Sequence, residues 1–269
     1  MRSVRVGDVQ RWMEELAPLH LAEQWDNVGL QIGEQAAPVS QVLVCLGVNQ
    51  AVVDQALQAD VQLVVAHHPL IFTPLRTLRA DDAHESLIMR IVRERLSVYV
   101  AHTNLDATPG GLGDWAAQAC GLDSGQPLVP LDRQVPGAGY GRVGKLRDPV
   151  DFERLTGALC QKLGVGRVRV SGAPPPCVER MAVVNGSGAS YLAQAKAAGV
   201  DVYVTGDMKH HDAVYAEALG LCVLDPGHFA TERMVAPQLA KYLEERARTE
   251  GQACKFHVAH EADPVSCMP

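Results

Sequence analysis

The apolar runs Val42-Leu43-Val44-Cys45-Leu46 and Val61-Gln62-Leu63-Val64-Val65-Ala66 flank a helical stretch from Ala51 to Ala59. A strand, a helix and a second strand in that order demand a crossover, and a crossover between neighbouring strands implies a parallel sheet. The pattern continues with a helix over 85–96 and a strand over 98–101, after an N-terminal helix from Val6 to Leu16. The later half repeats it, with strands at 181–184, 200–204 and 221–224 and a helix over 190–198 between the first two. Sliding Asp60–His67 onto Gly199–Gly206 keeps strand alternation and the preceding helix in step, and Val98–Ala101 then corresponds to Leu221–Leu224. The fold class is therefore α/β: two similar α/β lobes with mostly parallel sheets and, where strand carboxyl ends meet, a cleft between the lobes. Residues 123–150 are rich in Gly, Pro and Asp, which places the boundary there and gives lobes 1–125 and 126–269. Further helices are predicted over 112–120, 152–163 and 229–243, and a strand over 141–146.

A chain of 269 residues with 47% hydrophobic and 20% charged residues can bury a large core. Its formal charge of −7 argues against nucleic-acid binding by broad charge neutralisation. The seven cysteines are scattered, odd in number and contain no Cys-x-x-Cys pair, so reduced thiols in the cytoplasm are expected. Charged residues interrupt the first twenty positions, so no secretory leader is expected, and no apolar run approaches the roughly 20 residues of a membrane span.

Ligand-type side chains gather at the predicted strand ends. His67 and His68 close one strand, Asp106 follows another, and the turn Asp225-Pro226-Gly227 leads into His228 and Glu232, which share a helical face. Each of these has an ordinary reading as a solvated loop or helix pair. Together, three imidazoles and two carboxylates exceed the needs of one tetrahedral ion and suit two divalent ions, about 3.5–4 Å apart in such centres. The nitrogen and oxygen donors favour Zn, Fe or Mn. Successive strand residues point to opposite faces, so His67 and His68 are expected to serve different ions unless the backbone bends at Pro69.

His102 is a candidate for orienting Asp106 through its ring N–H, with a buried backbone-bonded histidine as the alternative. His210 and His211 are weaker candidates for the same cavity. Gly186-Ser187-Gly188 reads either as a phosphate-binding turn or as a tight turn. Asp26 and Asn27 read first as a turn or cap, and Cys45 and Cys222 as inert core thiols.

The segments Trp25-Asp26-Asn27-Val28-Gly29-Leu30, Ala66-His67-His68-Pro69-Leu70-Ile71-Phe72, His102-Thr103-Asn104-Leu105-Asp106, Gly139-Tyr140-Gly141-Arg142-Val143-Gly144, Thr205-Gly206-Asp207-Met208-Lys209-His210-His211 and Gly227-His228-Phe229-Ala230-Thr231-Glu232 occur in a characteristic order. In this the chain resembles the Nif-three-like family, whose members are labelled GTP cyclohydrolase type 2 homologues or dinuclear-metal-centre hexameric proteins, here without the central domain of longer members. The resemblance implies a toroidal homohexamer, a two-metal site facing an internal cavity with ligands His67, His68, Asp106, His228 and Glu232, and a metal-dependent hydrolase opening the purine ring of GTP with release of formate. The alternative is a non-catalytic metal-binding assembly or regulatory protein acting through protein or DNA contacts. In one departure, Leu46-Gly47-Val48-Asn49 stands where the family often shows Leu-Asp-x-Thr.

Overall fold

In the computed structural model, which describes residues 3–131 and 135–265, the chain forms two compact units. Cys267 lies outside the described residues. The first unit joins 1–105 to 235–269, and the second is Asp106–Met234. The chain therefore crosses twice, inside the short helix α4 (Thr103–Ala107) and again after Met234. The Gly- and Pro-rich segment that suggested a boundary at 125/126 lies within the second unit. There it builds the antiparallel pair β5 (Gln126–Pro130) and β6 (Gly139–Asp151), so its glycines and prolines serve a hairpin and not a linker.

In the first unit, β1 (Gly29–Ile32), β2 (Gln41–Cys45), β3 (Leu63–Ala66), β4 (Ser97–Val100) and β11 (Lys255–Val258) form one sheet in the order β1-β4-β3-β2-β11. Its β4-β3-β2-β11 ladders are parallel and β1 is antiparallel. The crossover helix α2 (Gln50–Gln58) starts where the Asn49 side chain accepts the Val52 N–H, and it buries Val52, Val53 and Ala56. The next crossover, α3 (Ala83–Arg93), is capped by Asp82 and buries Leu87, Ile88 and Ile91 against Val64 and Val98. The N-terminal helix α1 (Val6–Leu16) buries Val6, Val9, Trp12 and Met13. It receives the returning helix α10 (Val235–Thr249), whose Tyr242 hydroxyl donates to the Trp12 carbonyl at 2.8 Å.

In the second unit, β7 (Arg169–Ser171), β8 (Cys177–Ser187), β9 (Val202–Gly206) and β10 (Cys222–Asp225) join β5 and β6 in the order β5-β6-β8-β9-β10-β7. The ladders β8-β9 and β9-β10 are parallel and the flanking ones antiparallel. Helices α5 (Leu112–Ala119) and α6 (Phe152–Leu163) share one core with β8, β9 and β10. Helices α7 (Leu192–Ala197) and α8 (His210–Ala218) make the crossovers.

Four strands of each unit, β1-β4-β3-β2 and β7-β10-β9-β8, repeat one arrangement with matching register in their interiors. In the first, Val42 pairs Leu63, Leu63 pairs Ser97, and antiparallel Leu30 faces Tyr99. In the second, Met181 pairs Val202, Val202 pairs Cys222, and antiparallel Val170 faces Leu224. An offset of 139 residues, read from these two sets of pairings, carries β2 and β3 onto β8 and β9. The last strand of each set matches as Tyr99 with Leu224, two residues from the correspondence expected from sequence.

The helix expected over 229–243 is divided into α9 (His228–Glu232) and α10. Pro237 lacks an N–H and its ring would strike the carbonyl four residues back, at Arg233, so a continuous helix is blocked there. In the first turn of α10 the same proline is tolerated.

Candidate functional site

In the first unit, the parallel pairing of Ala66 with Val100 sets the carboxyl ends of β3 and β4 side by side. His67 and His68 leave one end and His102 the other. Their ligand nitrogens lie within 4.8 Å of one another, and the ring centroids of His67 are 5.2 Å from His68 and 5.1 Å from His102. The strand ends at Ala66 and the backbone bends at His67 itself, ahead of Pro69. Strict alternation therefore does not apply, the two rings converge, and the pair by itself does not separate one ion from two. His67 is buried, and its Nδ1 lies 2.8 Å from the Ala101 carbonyl. A carbonyl only accepts, so Nδ1 carries the proton and, in the neutral ring, Nε2 carries the lone pair that a metal requires.

Asp26 fixes His102. Its carboxylate accepts from His102 Nδ1 at 3.0 Å and from the Thr103 N–H at 3.1 Å. Burial pushes the Asp26 carboxyl up, but the hydrogen bonds from His102 and Thr103 prevail and lower its pKa to about 2. Asn27 donates to the Ile71 carbonyl at 2.6 Å, and Gln31 accepts the Ile71 N–H at 2.8 Å, so the loop leaving His68 is pinned. The turn Trp25-Asp26-Asn27 thus organises the segments on either side of the histidines. The expected partner of the His102 ring N–H is Asp106; the structure gives Nδ1 to Asp26.

In the second unit, parallel strands again deliver the polar groups from their carboxyl ends: Asn185 from β8, Asp207 after β9 and His228 after β10. Asn185 Nδ2 donates to Asp106 Oδ1 at 2.8 Å and to Glu232 Oε1 at 3.0 Å, so one amide gathers both carboxylates. Glu232 is only 3% exposed, a burial that an ionised carboxylate tolerates only with strong partners. One is His228, one helical turn away, with Nε2 2.8 Å from Glu232 Oε2; the Nδ1 of the same ring meets Asp207 Oδ2 at 2.8 Å. The hydrogen bond to Glu232, opposed by burial and reinforced by Asp207, raises His228 to about 9. Without an ion His228 is an imidazolium between carboxylates, and it must shed that proton to coordinate one.

The turn before His228 is closed by its own first residue. Asp225 accepts the Gly227 N–H at 2.8 Å and the Met208 N–H at 3.0 Å. Gly186 has φ +61°, and a Cβ there would lie 2.3 Å from Glu232 Oε1. Its N–H and that of Gly188 donate to the hydroxyls of Thr231 and Thr205 at 2.9 and 2.8 Å, which makes Gly186-Ser187-Gly188 a tight turn that clears room for Glu232, not a phosphate cradle.

The residues present fit divalent metal. Each unit offers imidazole or carboxylate donors, several of them oriented by hydrogen bonds through their other atoms, and no cysteine is among the groups. Among the described residues, the groups able to hold an ion are drawn from His67, His68, His102, Asp106, His228 and Glu232; His210 and His211 are exposed and in none of them. Cys45 and Cys222 are buried, and burial pushes both thiols up, Cys222 to about 11, as inert core residues require. Asn185, Asp26 and Asp207 are the supporting residues that motif reading does not single out for these roles. Only Asp26 and Asp207 stand in distinctive segments, and neither announces its partner.

Comparison with known proteins agrees with this architecture. The chain is 31% identical over 242 residues, 90% of each chain, to a Clostridium acetobutylicum protein named "GTP cyclohydrolase 1 type 2 homolog". It is 34% identical over 259 residues to a Streptomyces coelicolor protein of the same name, covering 95% of this chain and 91% of the relative. Among solved structures, a Bacillus cereus protein related to NIF3 superposes over the whole of both chains with a TM-score of 0.93 at 26% identity. Reduced HcgD from Methanocaldococcus jannaschii gives 0.80 at 26% identity, covering 96% of this chain and 98% of that one. The profile described as Duf34/NIF3 (NGG1p interacting factor 3) matches residues 4–264, and the chain belongs to that family.

Proposed function

We propose that this protein is a hydrolase dependent on two divalent ions, Zn, Fe or Mn, held by His67, His68, Asp106, His228 and Glu232. The observation that carries the reading is the pairing of Asp106 and Glu232 on the single amide of Asn185. Two carboxylates brought together disfavour each other's ionisation unless a cation shares them. Two such ions, when bound by these residues, would supply water activation at neutral pH and electrostatic stabilisation of developing negative charge. The chain's own part is orientation: Ala101 sets the His67 tautomer, Asn185 aims both carboxylates, and Asp207 holds the Nδ1 proton of His228, which leaves the Nε2 proton facing Glu232 as the one the ring would give up to an ion.

The substrate class we assign is a purine nucleotide, GTP first, with ring opening and release of formate. Support for this comes from the name borne by the relatives. We further assign a toroidal homohexamer, a cytoplasmic location and two ions per chain; among the described residues no helix is long and apolar enough to cross a membrane. A second reading, a metal-binding regulatory assembly, draws support from the words "interacting factor" in the family's description. Metal analysis followed by formate release from GTP separates the two. Two ions per chain with formate production is the expected result. Fully metallated protein that turns over no nucleotide overturns the hydrolase reading for those substrates and favours the regulatory one.

A further inference from the structure

The backbone that carries His68 is held from two sides. On one side the end of β2 extends the ladder past β3: the Cys45 carbonyl accepts the His67 N–H at 3.2 Å and the Leu46 carbonyl accepts the His68 N–H at 2.7 Å. On the other side a carboxylate from the far end of the chain takes the N–H groups of the same stretch. Glu261 Oε2 accepts from Leu46 at 2.7 Å and Oε1 accepts from Gly47 at 3.0 Å. Gly47 lies alongside the histidine, since a Cβ placed on it would be 3.7 Å from His68 Nδ1.

Glu261 is delivered there by a continuous set of bonds. Strand β11 pairs with β2 in parallel as far as Val258 with Val44, and the Ala259 N–H donates to the Val44 carbonyl at 2.8 Å. The His260 N–H then donates to Gln55 Oε1 at 2.7 Å, while Gln55 Nε2 donates back to the His260 carbonyl at 3.0 Å. Residues 255–261 are thereby zipped onto β2 and α2, with the carboxylate last.

We propose that Glu261 is a positioning residue for His68. By bridging two successive N–H groups it fixes the 46–47 backbone from which the His68 amide hangs, so the C-terminal segment sets the geometry of a metal ligand more than 190 residues earlier in the chain. The inference rests on the reading of His68 as a ligand. Bonds from N–H groups to an ionised carboxylate are among the stronger ones available, so their loss frees this stretch.

The test uses the full chain with Glu261→Ala and Glu261→Gln, plus Gln55→Ala, which disturbs the zipper but keeps the carboxylate. In metal-free protein, amide hydrogen exchange at Leu46, Gly47 and His68 is expected to quicken at least about tenfold in Glu261→Ala. Competition with a chelator for Zn²⁺ is expected to show about 10–100-fold weaker binding, the usual cost of losing a group that orients a ligand. Glu261→Gln, which keeps one acceptor oxygen, falls between, and Gln55→Ala, which loosens the segment that delivers the carboxylate, is expected to lie between wild type and Glu261→Ala. Should Glu261→Ala not fold, Glu261→Gln carries both readouts. Zn²⁺ affinity within twofold of wild type, with faster exchange at 46–47, overturns the proposal and leaves a strand-end cap. A wild-type chain that binds no Zn²⁺ overturns the metal reading instead, and unchanged His68 exchange in the metal-free variants overturns the clamp on its own.

Discussion

Asn185 offers the sharpest test of the candidate ligands within the second unit. Its amide has two hydrogens, and the geometry gives one to Asp106 and one to Glu232. Asn185→Ala removes both bonds and leaves a space in a buried position. Each hydrogen bond to a charged acceptor contributes roughly 1.5–3 kcal/mol, and a group that orients metal ligands typically accounts for about 10–100-fold in affinity. That range corresponds to about 1.4–2.7 kcal/mol of metal-dependent stabilisation lost at a fixed saturating metal concentration. At about 2–4 °C per kcal/mol for a chain of this size, the rise in Tm on adding Zn²⁺ should shrink by about 3–11 °C. The assay is thermal unfolding with and without Zn²⁺, beside metal content after dialysis against a weak chelator. Asn185→Asp separates charge from orientation, because it keeps the shape but turns the donor into a third carboxylate. It should bind metal more weakly than wild type at low pH, where Zn²⁺ competes with protons, and recover as pH rises. An Asn185→Ala protein with wild-type metal content and an undiminished Tm rise would refute the argument that this amide organises the two carboxylates.

Asp26, with its carboxyl lowered from 3.8 to about 2, contributes stability that is fully present above about pH 4 and lost as pH falls through 2. The difference between wild type and Asp26→Asn in urea unfolding should therefore narrow by about 2 kcal/mol between pH 5 and pH 2; a constant difference would contradict the His102 and Thr103 contacts as its source. Gly186→Ala forces a side chain into a left-handed backbone, at a cost of about 1–3 kcal/mol, and drives a Cβ against Glu232. Lower Tm together with lost metal is expected, and retained metal content would show that Glu232 moves freely. Gly47→Asp adds a Cβ at ordinary contact distance from His68 Nδ1, so the fold should persist with Tm within a few degrees. Chelator competition should show about tenfold tighter Zn²⁺ binding, because a carboxylate beside a ligating imidazole raises its basicity; weaker binding would mean that this glycine is needed for clearance.

What could be read from the residues alone follows the range of the forces involved. Helices α1 and α6 run over Val6–Leu16 and Phe152–Leu163 as the apolar spacing predicts, and α6 is further fixed by Asp151 before it and Gly164 at φ +67° after it. The parallel strands are legible as short apolar runs, and His67, His68, Asp106, His228 and Glu232 stand out as candidate ligands because strand ends are where such folds place their binding crevices. The supporting contacts are legible only in part. An asparagine at the end of β8 has no signature until Asp106 and Glu232 are near it, and they are 79 and 47 residues away. The return of 235–265 to the first unit is equally long-range, resting on Trp12 Nε1 donating to Glu250 at 2.8 Å and on β11 pairing with β2. Pro237 did carry a local signal for the break between α9 and α10, since a proline three residues into a helix is acceptable and one in its middle is not.

The repeated topology explains why sequence likeness between the halves is faint where it matters most. Carrying the offset of 139 from the paired strands into the residues beyond them sets Leu46 against Asn185, Gly47 against Gly186 and His68 against Asp207. The station after the first strand ends in glycine in both units, next to an imidazole in one and a buried carboxylate in the other. The station after the second strand supplies a candidate ligand, His68, in the first unit and only the support for one, Asp207 bonded to His228, in the second. The strand interiors stay alike because burial on both faces admits only apolar residues. The ends diverge because each unit provides different donors from the same places, with Glu261 securing in the first unit a strand end that, in the second, carries Asn185. An alignment scored on identity loses the relationship at the ends, while strand register retains it along the strand interiors, as far as Val183 with Val204, ahead of the shift before Ser187.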